Sequence, residues 1–212
     1  MTEAERVVAP YATLLSRPVA DVAADLDAFA ALIFKWNKTQ NLVSRETVGE
    51  LWPRHIADSL QVLPLLEKSD VTILDLGSGG GFPSIPLAIV SKGIRTLVLV
   101  EPIGKKTSFL KAVNRELALG MRVESVRAEM LLPENLPPVD VITSRALAPL
   151  PELCRMALPF WRDGTRAIFH KGREHVEELA EAGATYHFDV VVHPSRTDDS
   201  GALIEISKLR KR

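Results

Sequence analysis

The sequence predicts an α/β fold: a seven-stranded, mostly parallel sheet with one antiparallel strand, preceded by an N-terminal helical extension. Three observations lead to this prediction. Short apolar segments alternate with amphipathic ones after residue 70, the last two apolar segments have no helix between them, and the first 70 residues show helical periodicity. We therefore divide the chain into a helical extension, residues 1–70, and a core domain, residues 71–212.

In the extension, apolar residues at helical spacing predict a helix over residues 19–38. Thr47 and Glu50 have the spacing of a capping box, which predicts a second helix beginning there, and a further helical segment covers residues 55–67. His55 and Asp58 are three positions apart on that segment. Because no third ligand has suitable spacing, we expect no metal site there and favour a polar link between the extension and the core.

The core domain is predicted from its alternating elements. We predict strands at 71–76, 96–101, 122–127, 139–144, 165–170, 187–193 and 202–208. We predict helices at 83–92, 105–119, 150–161 and 174–182. Helical crossovers make neighbouring strands parallel, whereas the polar loop 194–201 predicts that the last two strands pair antiparallel.

Composition sets limits on function. With 212 residues, 46% hydrophobic and 25% charged, the chain is typical of a globular domain and unlike a disordered or fibrous protein. A net charge of −1 gives no overall basic field, so any contact with nucleic acid must be local. The single cysteine, Cys154, and the absence of a signal peptide or a membrane-length apolar run predict a cytoplasmic protein.

Four glycines in five residues follow the first predicted strand and precede a helix. Glycines at this place let a ligand approach the backbone, and the helix N-terminus offers free N–H groups. The dinucleotide pattern Gly-x-Gly-x-x-Gly/Ala fails, because Phe82 or Ser84 occupies its last position. The pattern acid-x-Gly-x-Gly-x-Gly, complete from Asp75 to Gly81, is similar to the first motif of Rossmann-like methyltransferases and favours S-adenosylmethionine (AdoMet).

Two charged residues end neighbouring strands. Glu101 closes the second strand, where a carboxylate can accept hydrogen bonds from both ribose hydroxyls of an adenosine. Arg145 follows the fourth strand, which lies beside the first at the switch point of a doubly wound sheet. Its guanidinium could bind the methionine carboxylate of AdoMet or an RNA phosphate.

The motifs that are missing narrow the methyl acceptor. Enzymes that methylate exocyclic amines usually carry Asn/Asp-Pro-Pro-aromatic after the fourth strand, and this chain has Ser144-Arg145-Ala146-Leu147 there. Methylation of pyrimidine carbon 5 needs a cysteine nucleophile, but Cys154 lies inside a predicted helix as a buried structural thiol. A ring nitrogen such as guanine N7 has no proton to lose, so the lack of an obvious base favours it.

Several segments in the same order resemble the glucose-inhibited division protein B family, the ribosomal small-subunit methyltransferase G enzymes, over about residues 30–209. The matching segments are 36–37, 41–44, 54–59, 75–86, 104–106, 109–110, 127–129, 144–146 and 171–172. The resemblance implies a class I, Rossmann-like AdoMet-dependent methyltransferase that methylates N7 of one guanine in 16S rRNA. The expected partner is 16S rRNA or the 30S subunit, and we expect a monomer.

The resemblance also implies cofactor contacts, residue by residue. It assigns this role to Gly77, Phe82, Ala128, Glu129 and Arg145, while the glycine pattern and the strand-end argument add Gly79 and Glu101. Two positions depart from the family: many relatives have Asp where this chain has Glu101, and Ser84 replaces a common glycine. No catalytic residue is assigned.

Basic residues that could bind RNA phosphates are scattered. They are Lys105, Lys106, Lys111, Arg115, Lys171, Arg173, Lys208, Arg210, Lys211 and Arg212. Two other functions stay open: a non-catalytic RNA-binding or ribosome-assembly module with a vestigial loop, and a nicotinamide-dependent oxidoreductase. The intact loop with Glu101 and Arg145 argues against the first, and the lack of a Tyr-x-x-x-Lys pair argues against the second.

Overall fold

A computed structural model describes residues 1–44 and 46–212 and contains one seven-stranded sheet in the order β3-β2-β1-β4-β5-β7-β6. The strands are β1 (Thr72–Leu76), β2 (Thr96–Val100), β3 (Arg122–Glu124), β4 (Val141–Arg145), β5 (Arg166–Lys171), β6 (Tyr186–Pro194) and β7 (Ala202–Lys211). Strands β1 to β5 pair in parallel, and β7 runs antiparallel to both β5 and β6. The predicted fold class is confirmed, including the terminal hairpin.

The strand order places the switch point between β1 and β4. From β1 the chain crosses to β2 and β3 on one side, and then returns to β4 on the other side. Strands β1 and β4 are buried because helices cover both faces of the sheet, which accounts for their nearly continuous apolar sequences. Loops after β1, β2, β4 and β5 therefore meet at one edge of the sheet, where ligands bind in this architecture.

The helices predicted at 19–38, 83–92, 105–119, 150–161 and 174–182 are present with ends shifted by a few residues, and a first helix near the N-terminus was not predicted. They are α1 (Glu3–Val8), α2 (Val19–Asn37), α3 (Asp58–Leu60), α4 (Ser84–Val90), α5 (Gly104–Glu116), α6 (Leu150–Ala157) and α7 (His175–Thr185). The segment predicted as one helix over residues 55–67 is instead a π-helical turn, Trp52–Ala57, followed by α3 and a 3-10 turn, Leu63–Leu65. Pro64 lacks an N–H group and prevents a continuous helix there.

The predicted capping box at Thr47 is wrong. A 3-10 turn, Val48–Glu50, follows Thr47 and leads into the π-helical turn and α3, but the Thr47 side chain caps no backbone N–H there. Its hydroxyl instead lies 2.9 Å from the hydroxyl of Ser44 and 3.0 Å from Nε2 of His55. The hydroxyl that would cap a helix is therefore used to connect His55 to the segment before it.

The extension packs against one face of the sheet together with α4 and α5. Phe29 and Trp36 of α2 both contact Phe109 of α5, with ring centroids 6.4 and 5.7 Å apart. A second core, on the other face, contains apolar residues of α6 and α7. The extension shares its core with the sheet, and the division at residue 70 stays a prediction.

No helix in residues 1–44 and 46–212 is long and apolar enough to cross a membrane. Within the same ranges, no group of three or more His, Cys, Asp or Glu residues could hold a metal ion.

Candidate active site

The loop after β1 needs glycine at position 77 for two reasons. Gly77 has φ +70°, and a Cβ placed there would lie 2.6 Å from Cδ1 of Leu147. The amides of Gly77 and Ser78 donate to the carbonyl of Val100, at 2.9 and 3.0 Å, which ties the loop to the end of β2. The loop thus brings bare backbone to the carboxyl edge of the sheet.

The N-terminal extension lies directly on this loop. A Cβ at Gly80 would lie 2.8 Å from the carbonyl oxygen of Leu42. Asn37 fixes this part of the extension, because its Oδ1 accepts from the amides of Leu42 and Val43 at 2.8 and 3.1 Å. Close contact between two backbones therefore builds one wall of the site.

Asp75 forms the floor of the glycine loop. It is fully buried and accepts hydrogen bonds from the hydroxyls of Ser84, at 2.7 Å, and Thr143, at 2.8 Å. Burial raises the pKa of Asp75 to about 6, although the hydroxyl donors act in the opposite direction. Ser84 thus supplies a hydrogen bond to the loop's own carboxylate.

Glu101 is buried at the end of β2, with 4% of its surface exposed. Its two carboxylate oxygens accept from the backbone amides of Gly79 and Ile103, both at 2.8 Å. A carboxylate has about four acceptor positions, so Glu101 can accept further hydrogen bonds. The predicted ribose role stays a prediction, and the structure adds that Glu101 fixes the glycine loop through Gly79.

Two cavities lie on either side of Gly77, which lines both. The first has a volume of about 310 Å³ and is lined by Leu42, Val43, Ser44, Thr47, His55, Gly77, Ser78, Gly80, Phe82, Arg145 and Ala146. The second has a volume of about 180 Å³ and is lined by Gly77, Val100, Pro102, Arg127, Ala128, Glu129, Leu147 and Met156. We call them the Phe82 cavity and the Ala128 cavity.

These cavities bring together five of the seven predicted cofactor residues. Gly77, Phe82 and Arg145 line the Phe82 cavity, while Ala128 and Glu129 line the Ala128 cavity with Gly77. The other two, Gly79 and Glu101, line neither cavity and are bonded to each other beneath the loop. The Glu129 carboxylate also forms an ion pair with Arg155, 2.9 Å away.

Arg145 is held by the extension. Its Nε lies 3.2 Å from Oδ2 of Asp58, and its Nη2 donates to Nδ1 of His55, at 3.0 Å, and to the carbonyl of Arg54, at 2.9 Å. The guanidinium also lies over the ring of Phe82, 5.7 Å from its centroid. The expected polar link between extension and core is present, and it ends on Arg145.

His55 is neutral at pH 7. Burial, followed by the charge of Arg145, lowers the pKa of His55 to about 4. Because Arg145 donates to Nδ1, the ring proton sits on Nε2, which donates to the Thr47 hydroxyl at 3.0 Å. With both nitrogens engaged and its ring 5.0 Å from that of Phe82, His55 positions its neighbours and has no free lone pair for a proton.

The structure changes the expectations for the basic residues. The ammonium of Lys171 is paired with Glu178, at 2.5 Å, and donates to the carbonyl of Ala148, so it is not free to bind RNA. Because β7 runs antiparallel to β5, with Ala202 opposite Lys171, the basic residues 208–212 lie toward the other edge of the sheet. The predicted C-terminal cluster is therefore remote from the glycine loop.

Sequence reasoning missed two residues of this edge, His170 and Thr197. Nε2 of His170 donates to the carbonyl of Asp58 at 3.1 Å, and the hydroxyl of Thr197 donates to Oδ1 of Asp58 at 2.8 Å. His170 could have been found, because it ends β5 directly opposite Arg145 in the register. Thr197 lies 139 positions from its partner in a polar loop, and nothing in the sequence marks it.

The doubly wound sheet, the glycine loop after β1 and the carboxylate that ends β2 define the class of Rossmann-like methyltransferases. Solved structures agree on the fold. The chain is similar to the O-methyltransferase TomG from Streptomyces achromogenes, with TM-score 0.58 and 17% identity over 97% of this chain and 99% of that one. It is also similar to Aeropyrum pernix fibrillarin, with TM-score 0.54 and 20% identity over 73% and 75% of the two chains.

The family is defined by sequence. The family model described as GidB, rRNA small subunit methyltransferase G, matches residues 22–200. A Bartonella tribocorum protein named ribosomal RNA small subunit methyltransferase G is 42% identical, covering 88% of this chain and 87% of the relative. The Brucella ovis protein of the same name is 41% identical over 93% and 92% of the two chains. The chain belongs to the GidB family of small-subunit rRNA methyltransferases.

Proposed function

We propose that this protein transfers the methyl group of AdoMet to N7 of a guanine in 16S rRNA of the small ribosomal subunit. Family membership and the names of the relatives support rRNA methyl transfer. One observation carries the choice of acceptor atom: no carboxylate is found among the described residues that line the Phe82 cavity, and its histidine, His55, is neutral with both nitrogens bonded. A Phe82 cavity without a free base suits a methyl acceptor that has no proton to lose.

The residues present fit AdoMet. Gly77 lines both cavities, and a Cβ there would meet the side chain of Leu147, which lines the Ala128 cavity, so glycine keeps this part of the surface open. Glu101 has unused acceptor positions for hydroxyl groups, and Arg145 provides a cation beside the Phe82 cavity. When bound, AdoMet supplies an electrophilic methyl group on a positively charged sulfur.

The chain's own residues would act by alignment and by exclusion of water. The lone pair of N7 attacks the methyl carbon without prior deprotonation, so holding the base in line supplies most of the catalysis required. Leu42 and Val43 of the extension, which are buried, cover the Phe82 cavity on one side. Cys154 is buried and burial raises its pKa to about 12, which argues against a thiolate mechanism at pyrimidine carbon 5.

The test is transfer of labelled methyl from AdoMet to small ribosomal subunits, and in parallel to naked 16S rRNA, from cells that lack this gene. Nucleoside analysis after digestion should place the label in 7-methylguanosine of 16S rRNA. Label in another nucleoside would contradict the N7 assignment. Absence of label in both substrates, with AdoMet binding measured directly, would favour a non-catalytic assembly module.

A further inference from the structure

A third cavity, of about 230 Å³, opens at the same edge of the sheet where β4 and β5 end. It adjoins the Phe82 cavity, since Arg145 and Ala146 line both. Its other lining residues come from the extension, the end of β5 and the β6–β7 loop: Arg54, Asp58, His170, Lys171, Gly172, Ser195, Thr197, Asp198, Gly201, Ala202 and Leu203. We call it the His170 cavity.

Asp58 joins the walls of the His170 cavity. Its Oδ2 pairs with Arg145, its Oδ1 accepts from Thr197 at 2.8 Å and from Gln61 at 2.9 Å, and its carbonyl accepts from His170 at 3.1 Å. Gln61 strengthens the same link, because its Oε1 accepts from the amide of Arg196 at 2.6 Å. Asp58 thus holds the extension, the ends of β4 and β5 and the β6–β7 loop together through its side chain and its carbonyl, so the cavity is preformed.

Two buried polar atoms, which belong to residues that line this cavity, lack partners. Nδ1 of His170 and Nη1 of Arg145 are buried and make no hydrogen bond within the described part of the chain. The His170 side chain is 7% exposed, and burial lowers its pKa, so the ring is neutral. Since Nε2 donates to the Asp58 carbonyl, Nδ1 carries the free lone pair and is an acceptor.

Arg145 Nη1 can only donate a hydrogen bond, whereas His170 Nδ1 accepts one. The two unpartnered atoms are therefore one donor and one acceptor, on residues that are opposite each other in the β4–β5 register. Burying polar atoms without partners destabilises a fold, and such atoms are rare in native proteins. Because both residues line a cavity that adjoins the Phe82 cavity, this unpartnered pair points to a ligand that presents an acceptor next to a donor.

We propose that the His170 cavity receives the base that is methylated, and that Arg145 Nη1 and His170 Nδ1 recognise the O6 and N1–H groups of guanine. Guanine presents N7, O6 and N1–H in that order along one side. The protein presents the Phe82 cavity, Arg145 at the end of β4 and His170 at the end of β5 in the same order. Adenine places a donor at position 6 and an acceptor at N1, and would oppose both protein atoms. This proposal rests on the proposed function.

Base analogues test it with the natural protein. RNA substrates carry guanine, inosine or 2,6-diaminopurine at the methylated position, and all three keep N7. Inosine also keeps O6 and N1–H, so its kcat/KM should be comparable to that of guanine. Diaminopurine reverses both groups, and we expect its kcat/KM to fall about 10- to 100-fold. Equal methylation of inosine and diaminopurine would overturn the proposal.

Variants of His170 assign the effect to this residue. His170→Ala should reduce the preference for inosine over diaminopurine about tenfold, with the dissociation constant for AdoMet unchanged. His170→Gln can donate to the Asp58 carbonyl and still present an acceptor, so it should restore part of the preference. An unchanged preference in a folded His170→Ala variant would refute the role of His170. If His170→Ala does not fold, the glutamine variant and the analogue series decide.

The two proposals fail in different ways. If the natural protein forms no 7-methylguanosine with unmodified guanine, the proposed function is wrong. If it methylates guanine and diaminopurine equally well, the proposed function stands and the recognition by Arg145 and His170 is wrong.

Discussion

The Phe82 and His170 cavities lie side by side at one edge of the sheet, but they are built differently. Backbone forms much of the first: the loop around Gly77 and Gly80 and the chain at Leu42 approach each other without intervening side chains. The second is formed by side chains, and Asp58 connects Arg145, His170 and Thr197. Under the two proposals above, the cofactor is held largely by backbone, whereas recognition of the base depends on side chains.

The largest expected effect is on the backbone-built cavity. Gly77→Asp adds a side chain where a Cβ already lies 2.6 Å from Leu147, and requires φ +70° of a residue with a side chain. We expect AdoMet affinity to fall more than about 100-fold, measured by isothermal titration calorimetry, in a protein that still folds.

The matched control is Gly93→Asp. Gly93 has φ +81°, but a Cβ there would meet no atom within 4 Å. The Gly93→Asp variant therefore has similar backbone strain outside the site, and we expect its AdoMet affinity to be unchanged. Equal losses of AdoMet affinity in both variants would mean that backbone strain alone, rather than the side chain added at position 77, weakens binding.

The next effect concerns Asp75, the buried floor of the loop. The folded-state pKa of Asp75 is about 6, above its ordinary value of 3.8, so the folded state binds the proton more tightly. Stability contributed by the neutral acid is present below pH 3.8 and is lost as pH rises to about 6, amounting to about 3 kcal/mol. Asp75→Asn does not titrate, so its stability relative to the natural protein should increase between pH 4 and pH 7.

Urea unfolding of both proteins at these two pH values measures this difference. Asp199→Asn, which makes the same substitution at an exposed carboxylate in the β6–β7 loop, is the matched control. A relative stability of Asp75→Asn that is the same at both pH values would mean that the natural carboxyl is not held neutral by burial.

The difference between local patterns and contacts of distant residues explains which features the sequence could predict. The strands and the glycine loop were predictable because alternation and the pattern from Asp75 to Gly81 are local in sequence. The capping box failed because the Thr47 hydroxyl bonds to His55 rather than to its own helix start, and local spacing contains no information about that choice. The link from Asp58 to Thr197 spans 139 positions and could be known only from the fold.

A smaller effect tests the contact between extension and loop. Gly80→Ala places a Cβ 2.8 Å from the carbonyl oxygen of Leu42, which is backbone and cannot rotate away. We expect a loss of about 1–3 kcal/mol in the free energy of unfolding. Gly49→Ala, where a Cβ meets nothing within 4 Å, is the control. Similar values for the two variants would show that the Leu42 segment moves freely away from the loop.

The smallest expected effect is on the side-chain network. A double-mutant cycle with Asp58→Ala and Arg145→Ala, followed by urea unfolding, should give a coupling energy of about 1 kcal/mol, because the two side chains are only 14% and 19% exposed. The ion pair between Lys208 and Asp189, with side chains 74% and 62% exposed, is the control cycle and should show no measurable coupling. If the Asp58 cycle also shows none, Asp58 does not hold Arg145 in place. The His170 cavity would then form only when substrate binds. In that case the Phe82 cavity would be a preformed site and the His170 cavity an induced one.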